Sequence, residues 1–377
     1  MNRREFVKKG MVGLAAAAAA HRRQPAARAG DSAAPTKPDK TGTEPRISGS
    51  FFDLIHVNWF DAAYWTDTCL HWGEASWRAL IRDMHGIGID TVICVSTAFW
   101  GRPLFPGYEK TVGLPIKFGC EDPLGACVDE ADRLGMKVFL GAGVRGRVSQ
   151  VRDYTRMQPP WPDVWFRWNT ALAEALVDRF GKRKCFAGLY IPYEIDFNHE
   201  VHQIELYEKL IKKHFRPALG DVKLLASPGS LGTHPKIDEL PKQVERTGIN
   251  ILAPQDYGGR AWKIDDAMRL VRANARALKQ VGKSLREAGV TVWSNCELFN
   301  LKGDPSGRGA CVPGPIERIV QQIEMQAPLV DKLICYQYQG IMNRRTDLVN
   351  IGHPSTDKLY RDYVAYLKKR FPGRFKI

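Results

Sequence analysis

Two glutamates stand where an apolar run gives way to loop, a setting that suits proton transfer and attack on a sugar carbon. The stretch Tyr190-Ile191-Pro192-Tyr193-Glu194-Ile195-Asp196 follows the apolar run from Phe186 to Leu189 and reads as a buried parallel strand ending in a carboxylate. Farther on, Thr291-Val292-Trp293-Ser294-Asn295-Cys296-Glu297-Leu298-Phe299 has the same form. Hydrolysing a glycosidic bond needs two carboxyls across it, one protonated as acid and one ionised as nucleophile or base. Acidic residues near such exits are Glu194, Asp196, Asp256 and Glu297. A single glutamate of this kind fits an ion pair with an arginine equally well; two at matching strand exits shift the balance toward chemistry. Period-two alternation places Trp293, Asn295 and Glu297 on one side of their strand.

The elements that must position these groups recur along the chain. Short apolar, β-branched or aromatic runs start near Phe51, Thr91, Lys137, Phe186, Lys223, Ile249, Thr291 and Leu333. Helical stripes lie between most of them: Trp77, Leu80, Ile81, Met84 behind a Ser76 cap; a helix opened by Asp122-Pro123 and closed by Gly135; Trp165, Trp168, Leu172, Leu176, Phe180. Others are Ile204 to Phe215, Met268 to Leu278, Ile316 to Ile323 and Leu359 to Leu367. Only the fifth-to-sixth crossover, with Pro235 and Pro241, is short and poorly patterned. Strands alternating with helices mean parallel βαβ units, and eight of them predict an α/β fold, a single-domain (β/α)8 TIM barrel over residues 48–377. An open doubly wound sheet is the alternative.

In a barrel the strand C-termini carry the site. The loops there hold His56, Asn58 and Trp59 after strand one, Trp100 after strand two, and Arg145, Arg147 and Arg152 after strand three. Trp59, Trp65, Trp72, Trp100 and Trp161 fall in loops, where flat rings suit the apolar faces of sugars, whereas Trp165 and Trp168 read as core. Asn58, Gln255, Asn295 and Gln337 can hydrogen-bond hydroxyls. The residues expected to bind substrate are His56, Asn58, Trp59, Trp100, Arg145, Tyr193, Asp196, Gln255, Asp256, Tyr257, Asn295, Tyr336 and Gln337.

Three tempting motifs fail on mechanism. Gly141 to Gly146 fits GxGxxG but opens no immediate helix and belongs to the third unit. The histidines of His199-Glu200-Val201-His202 are one position too close to share a helical face toward zinc. His56-x-Asn58 is one ligand short of a His-x-His metal pair. No cofactor and no metal site is expected.

The pattern resembles the large clan of retaining glycosidases built on (β/α)8 barrels, whose acid/base glutamate ends strand four and whose nucleophile ends strand seven. By position the resemblance implies Glu194 as acid/base, titrating high, and Glu297 as nucleophile, kept ionised beside Asn295. More closely, the chain is similar to a glycosidase-like barrel family of unknown function. Its members share a Tyr-Glu at strand four (Tyr193-Glu194), a Pro-Gln-Asp at strand six (Pro254-Gln255-Asp256) and an Asn-x-Glu-x-Phe at strand seven (Asn295 to Phe299). The likeness covers about residues 48–370. In the clan an Asn commonly precedes the strand-four glutamate and holds the sugar 2-hydroxyl; here Tyr193 stands there. Either Tyr193 or Asn295 takes that role, or the chemistry differs and Asp256 partners one glutamate.

The net charge of +14 invites a nucleic-acid reading, but ten Lys/Arg against four Asp/Glu crowd residues 1–47, and the rest is dispersed. Arg3-Arg4-Glu5-Phe6-Val7-Lys8 resembles a twin-arginine export signal, followed by a short apolar run and cleavage candidates at Ala20 and Ala29. This divides the chain into a signal peptide (1–29), a disordered Ala/Pro/Thr/Lys spacer (30–47) and the barrel. The implied partners are a carbohydrate and, during export, the twin-arginine translocase. No nucleic acid, no stable membrane anchor and a monomer are expected. The eight cysteines include no CxxC pair, and a protein folded before export needs no disulfides. The expectation is an exported glycoside hydrolase acting on a poly- or oligosaccharide. A carbohydrate-binding protein without turnover is the competing class, and a polysaccharide lyase or deacetylase the third.

Overall fold

The computed structural model describes residues 42–56, 61–99, 101–108, 116–143, 161–195, 197, 201–303 and 309–375. Short apolar runs alternating with amphipathic helices bury most surface when parallel strands close on themselves and helices wrap them. Eight strands do this: β1 (Gly49–Phe52), β2 (Thr91–Cys94), β3 (Lys137–Gly141), β4 (Phe186–Ile191), β5 (Leu224–Ala226), β6 (Ile251–Leu252), β7 (Thr291–Glu297) and β8 (Lys332–Tyr336). Each pairs in parallel with the next in sequence, and β8 pairs back onto β1 through Gly49↔Ile334 and Ser50↔Cys335. The predicted barrel is therefore present, its strands starting within two residues of the runs read from sequence.

One side chain from every strand forms a separate inner cluster: Phe51, Ile93, Phe139, Tyr190, Leu225, Ile251, Trp293 and Ile334. Rings from distant strands meet edge-on there, Phe51 with Tyr190 at 5.1 Å and Phe139 with Trp293 at 5.7 Å. The lumen is thus filled, and open chemistry is confined to the mouth. Continuing the alternation, Glu194 follows Tyr190 on the inward side, Gln255 follows Ile251, and Asn295 and Glu297 follow Trp293. Asp256 has the opposite parity and points outward, toward the helix that covers β7.

The helices follow their stripes, with one altered start. Glu74–Gly86 buries Trp77, Leu80, Ile81 and Met84, but its N-cap is Gly73, and Ser76 lies inside the first turn. Asp122 caps the helix Pro123–Arg133 as expected, accepting the Gly125 N–H at 2.9 Å. The long covers are Trp161–Phe180, Ile264–Glu287, Ile316–Gln326 and Thr356–Arg370. The irregular fifth crossover contains two 3-10 turns and the short helix Leu240–Thr247, with Pro241 in its first turn. Past β7 the glycine-rich insertion folds as an antiparallel hairpin, Phe299–Gly303 against Gly309–Pro313. Among the described residues, no helix is long and apolar enough to cross a membrane.

All eight cysteines are free, and all but Cys120 are buried. Their thiols behave as small apolar groups, so the barrel is held without covalent cross-links. Dithiothreitol should therefore leave the melting temperature unchanged in a thermal scan; a marked drop would mean that a covalent bridge contributes after all.

Candidate active site

Glu297 is the last residue of β7 and only 3% exposed. Its Oε2 accepts the Gly259 N–H at 2.8 Å. Burial pushes its carboxyl up to about 7; Arg260, the Gly259 N–H and Arg318 pull it down, and the negative Asp256 pushes it further up. Burial thus makes Glu297 harder to ionise than a solvent-exposed carboxyl. Asn295 gives its Nδ2 to Ser227 Oγ at 3.1 Å, and exclusion of water governs the glutamate.

Glu194 lies half-buried just past β4, where its Oε1 accepts Gln255 Nε2 at 3.0 Å. Gln255 sits on the exit of β6 and bridges in parallel to Asn295 of β7. Gln255 thus links the two glutamate-bearing strands, its side-chain amide on Glu194 and its backbone beside Asn295. Tyr257 reports on both carboxyls. Its phenol is raised by burial, eased by Arg260, and raised again by the negative charges of Glu194 and of Glu297.

Behind Glu297 lies a polar layer with no exposure. Asp256 is fully buried; its Oδ1 accepts the N–H groups of Gly258 at 2.9 Å and Glu297 at 3.1 Å. Its Oδ2 accepts Gln322 Nε2 at 2.7 Å and Gln326 Nε2 at 3.0 Å. Burial still raises its carboxyl, with the four donors working against that. Arg318, 1% exposed, donates to the carbonyl of Gly258, to Glu297 O at 3.2 Å and to Phe299 O at 3.0 Å. Asp256 is therefore not a second reacting carboxyl beside the substrate. It fixes the turn that aims Gly259 at Glu297.

The neighbouring wall, on β8 and the turn after β1, carries a charged cluster. His56 Nδ1 lies 3.1 Å from Asp53 Oδ2 and 3.0 Å from the Tyr336 hydroxyl, and Nε2 lies 3.7 Å from Asp61 Oδ2. Burial disfavours the imidazolium, but Asp53 and then Asp61 outweigh it and carry His56 up to about 9. His56 is thus a cation at neutral pH, held between two carboxylates. Gln337 is fully buried and donates Nε2 to Gln339 O at 3.1 Å. Among the described residues, Gln337 Oε1 and Asn295 Oδ1 receive no donor. No group of three or more His, Cys, Asp or Glu among the described residues is placed to hold a metal.

Several expected sugar contacts belong to the core instead. Tyr193 is 2% exposed; its hydroxyl donates to Gly143 O and accepts Trp165 Nε1 at 2.7 Å. The Tyr193 hydroxyl is thus engaged on both sides within the core. Trp65 is 1% exposed and tilted against His56 at 5.9 Å, and Trp72 packs edge-on against Trp77 at 5.0 Å. Both were read as loop platforms because their segment lacks strand pattern, yet it folds back over the barrel. Trp165 and Trp168 stack at 4.5 Å, as core. Asn58, Trp59, Trp100, Arg145, Arg147, Arg152 and Asp196, the side chain of Trp161, and residues 1–41 lie outside the described residues. Missed from the sequence were Asp53, three positions before His56, and Arg318, Gln322 and Gln326, spaced four apart on one helix.

Solved structures share this architecture at low identity. A candidate alpha-L-fucosidase from Bacteroides thetaiotaomicron superposes with a TM-score of 0.61 at 18% identity, over 89% of this chain and 99% of that one. A GH113 beta-1,4-mannanase gives 0.48 at 13%, over 85% and 98% of the two chains. A family 5 mannosidase from Rhizomucor miehei gives 0.47 at 13%, over 86% and 94%. The likeness to the first is one of fold. No curated protein matches the sequence. The sequence does match, over residues 47–346, the family described as "Domain of unknown function (DUF4434)", and the chain belongs to that family.

Proposed function

We propose that the chain is a retaining glycoside hydrolase acting on a poly- or oligosaccharide, with Glu194 as acid/base and Glu297 as nucleophile. The observation that carries this reading is the pair of inward glutamates at the exits of β4 and β7, linked through Gln255. In the first step Glu194 gives its proton to the glycosidic oxygen while a Glu297 oxygen bonds to the anomeric carbon and the C–O bond breaks. In the second, Glu194 takes a proton from water, whose oxygen displaces Glu297 and restores both carboxyls. The Gly259 N–H on Oε2 orients Glu297, and Oε1 takes no donor among the described residues. Asn295 Oδ1, which receives no donor among the described residues, is suited to a sugar hydroxyl.

The raised proton affinity of Glu297 favours a second reading, in which Glu297 is the acid and Glu194 the nucleophile. The pH profile separates the two. As nucleophile Glu297 works only when ionised, so kcat/KM should rise as pH climbs through about 7; as acid it would fall over the same range. Glu297→Gln should abolish turnover while glycan affinity persists, and Glu194→Gln should spare activated aryl glycosides most. A chain that binds glycans and releases no product from any of them is a lectin-like binder, and hydrolysis is then wrong.

The same shift has a stability consequence of fixed sign. A carboxyl whose folded pKa is raised favours folding below its unfolded value, and that contribution is lost as pH rises to about 7. The loss amounts to on the order of 3 kcal/mol. Glu297→Gln should flatten the decline in denaturation midpoint between pH 4.5 and 7; parallel curves for the two proteins would rule out the buried-carboxyl account.

Export through the twin-arginine pathway is part of this reading, on the strength of Arg3-Arg4 and the apolar run behind them. Replacing both arginines by lysine should leave the protein unprocessed in the cytoplasm; normal processing of that variant would remove the localisation.

A further inference from the structure

The turn after β6 continues the candidate site in a direction the two glutamates do not use. Tyr257 holds φ 59°, the one non-glycine residue in the left-handed region among those described. Such a conformation is disfavoured by roughly 1–2 kcal/mol, and the bonds of Asp256 and Arg318 to Gly258 keep it in place. The built turn delivers the exposed Arg260, whose guanidinium stacks 3.7 Å from the centroid of the Tyr257 ring. Among the described residues Arg260 forms no ion pair, although its charge is felt by Glu297. Two residues on stands Trp262, at 57% the most exposed large apolar side chain among those described, followed by the exposed Lys263.

We propose that residues 257–263 form a subsite for a negatively charged sugar unit, with Trp262 against the ring face and Arg260 on a carboxylate or sulfate group. The proposal rests on the glycosidase reading only in that this turn borders Glu297. A guanidinium fixed on an aromatic ring offers a forked donor set that matches a planar oxyanion, and an exposed indole suits the apolar face of a pyranose. Charge supplies the second argument. Anionic glycan entering beside the ionised member of the Glu194–Glu297 pair meets repulsion, and Arg260 and Lys263 on the approach offset it. A neutral glycan needs no such cation at the rim.

The test is an array of neutral, uronate-bearing and sulfated oligosaccharides probed with the full chain and with Arg260→Gln, Arg260→Lys and Trp262→Ala. Binding should concentrate on the anionic glycans and weaken with added salt, and the uronate and sulfate arms identify which anion is read. Arg260→Gln and Trp262→Ala should each weaken it about tenfold or more, which is ~1.4 kcal/mol. Arg260→Lys should retain part of the anion preference. Both side chains are exposed, so the variants should melt like the wild type. Neutral glycans bound as well as anionic ones, affinity unmoved by Arg260→Gln, or no glycan bound at all would each overturn the subsite. Sugar release from neutral glycans alone would leave hydrolysis standing while the subsite falls; anionic binding without product would do the reverse.

Discussion

A carboxylate with no exposed surface, Asp256, joins the exits of β6 and β7 to the helix Ile316–Gln326. Burying such a group without partners costs several kcal/mol, so it persists only where donors surround it. Here two backbone N–H groups and two glutamine amides do so. Satisfying that one group decides much else. It bends the chain at Gly258, sets Gly259 facing Glu297, and leaves Arg318 free to hold the carbonyls of Gly258, Glu297 and Phe299. Glu297 is thus aimed by atoms that never meet solvent.

The barrel separates work by parity. Inward side chains along the strands are aromatic or aliphatic until the last residues, where they turn polar: Glu194, Gln255, Asn295 and Glu297. Outward side chains pack on helices, and Asp256 is polar there only because Gln322 and Gln326 come to meet it. A lumen closed by rings such as Tyr190 and Trp293 gives the mouth a dry floor. That dryness is the same cause that raises Glu297, since a carboxyl above an apolar plug has few waters to stabilise its charge.

Strands and helices were legible because period two and period 3.6 are local, and the barrel follows from repeating them. Glu194 and Glu297 were legible for a related reason, as charges that end apolar runs. The polar stripe Arg318, Gln322, Gln326 carried the opposite message: spaced four apart on an amphipathic helix, it reads as a solvent face, and only the buried Asp256 opposite makes it interior. The tryptophans misled similarly. Trp65 and Trp72 lie in an unpatterned segment but fold over the barrel, whereas Trp262, directly ahead of a helix, stays out in water. Burial of a large ring depends on what covers it, which neighbours in sequence do not specify.

The two ends of the described chain leave together. Before β1, Ile47 N–H donates to Tyr363 Oη at 2.8 Å, and Pro45 O accepts Tyr366 Oη at 2.6 Å; after the last helix, Arg374 pairs with Glu44. These contacts sit where the strands begin, and Arg46 reaches Gly88 ahead of β2 on that same side. Glu194 and Glu297 are at the other pole. A support, a reporter or a second protein tethered at Gly42 or Phe375 therefore hangs from the floor, with the barrel's long axis standing between the attachment and the opening. Fixed to a surface at those positions, the barrel faces its mouth outward, and the contact of Glu44 with Arg374 suits a circular closure of the barrel that leaves the opening untouched.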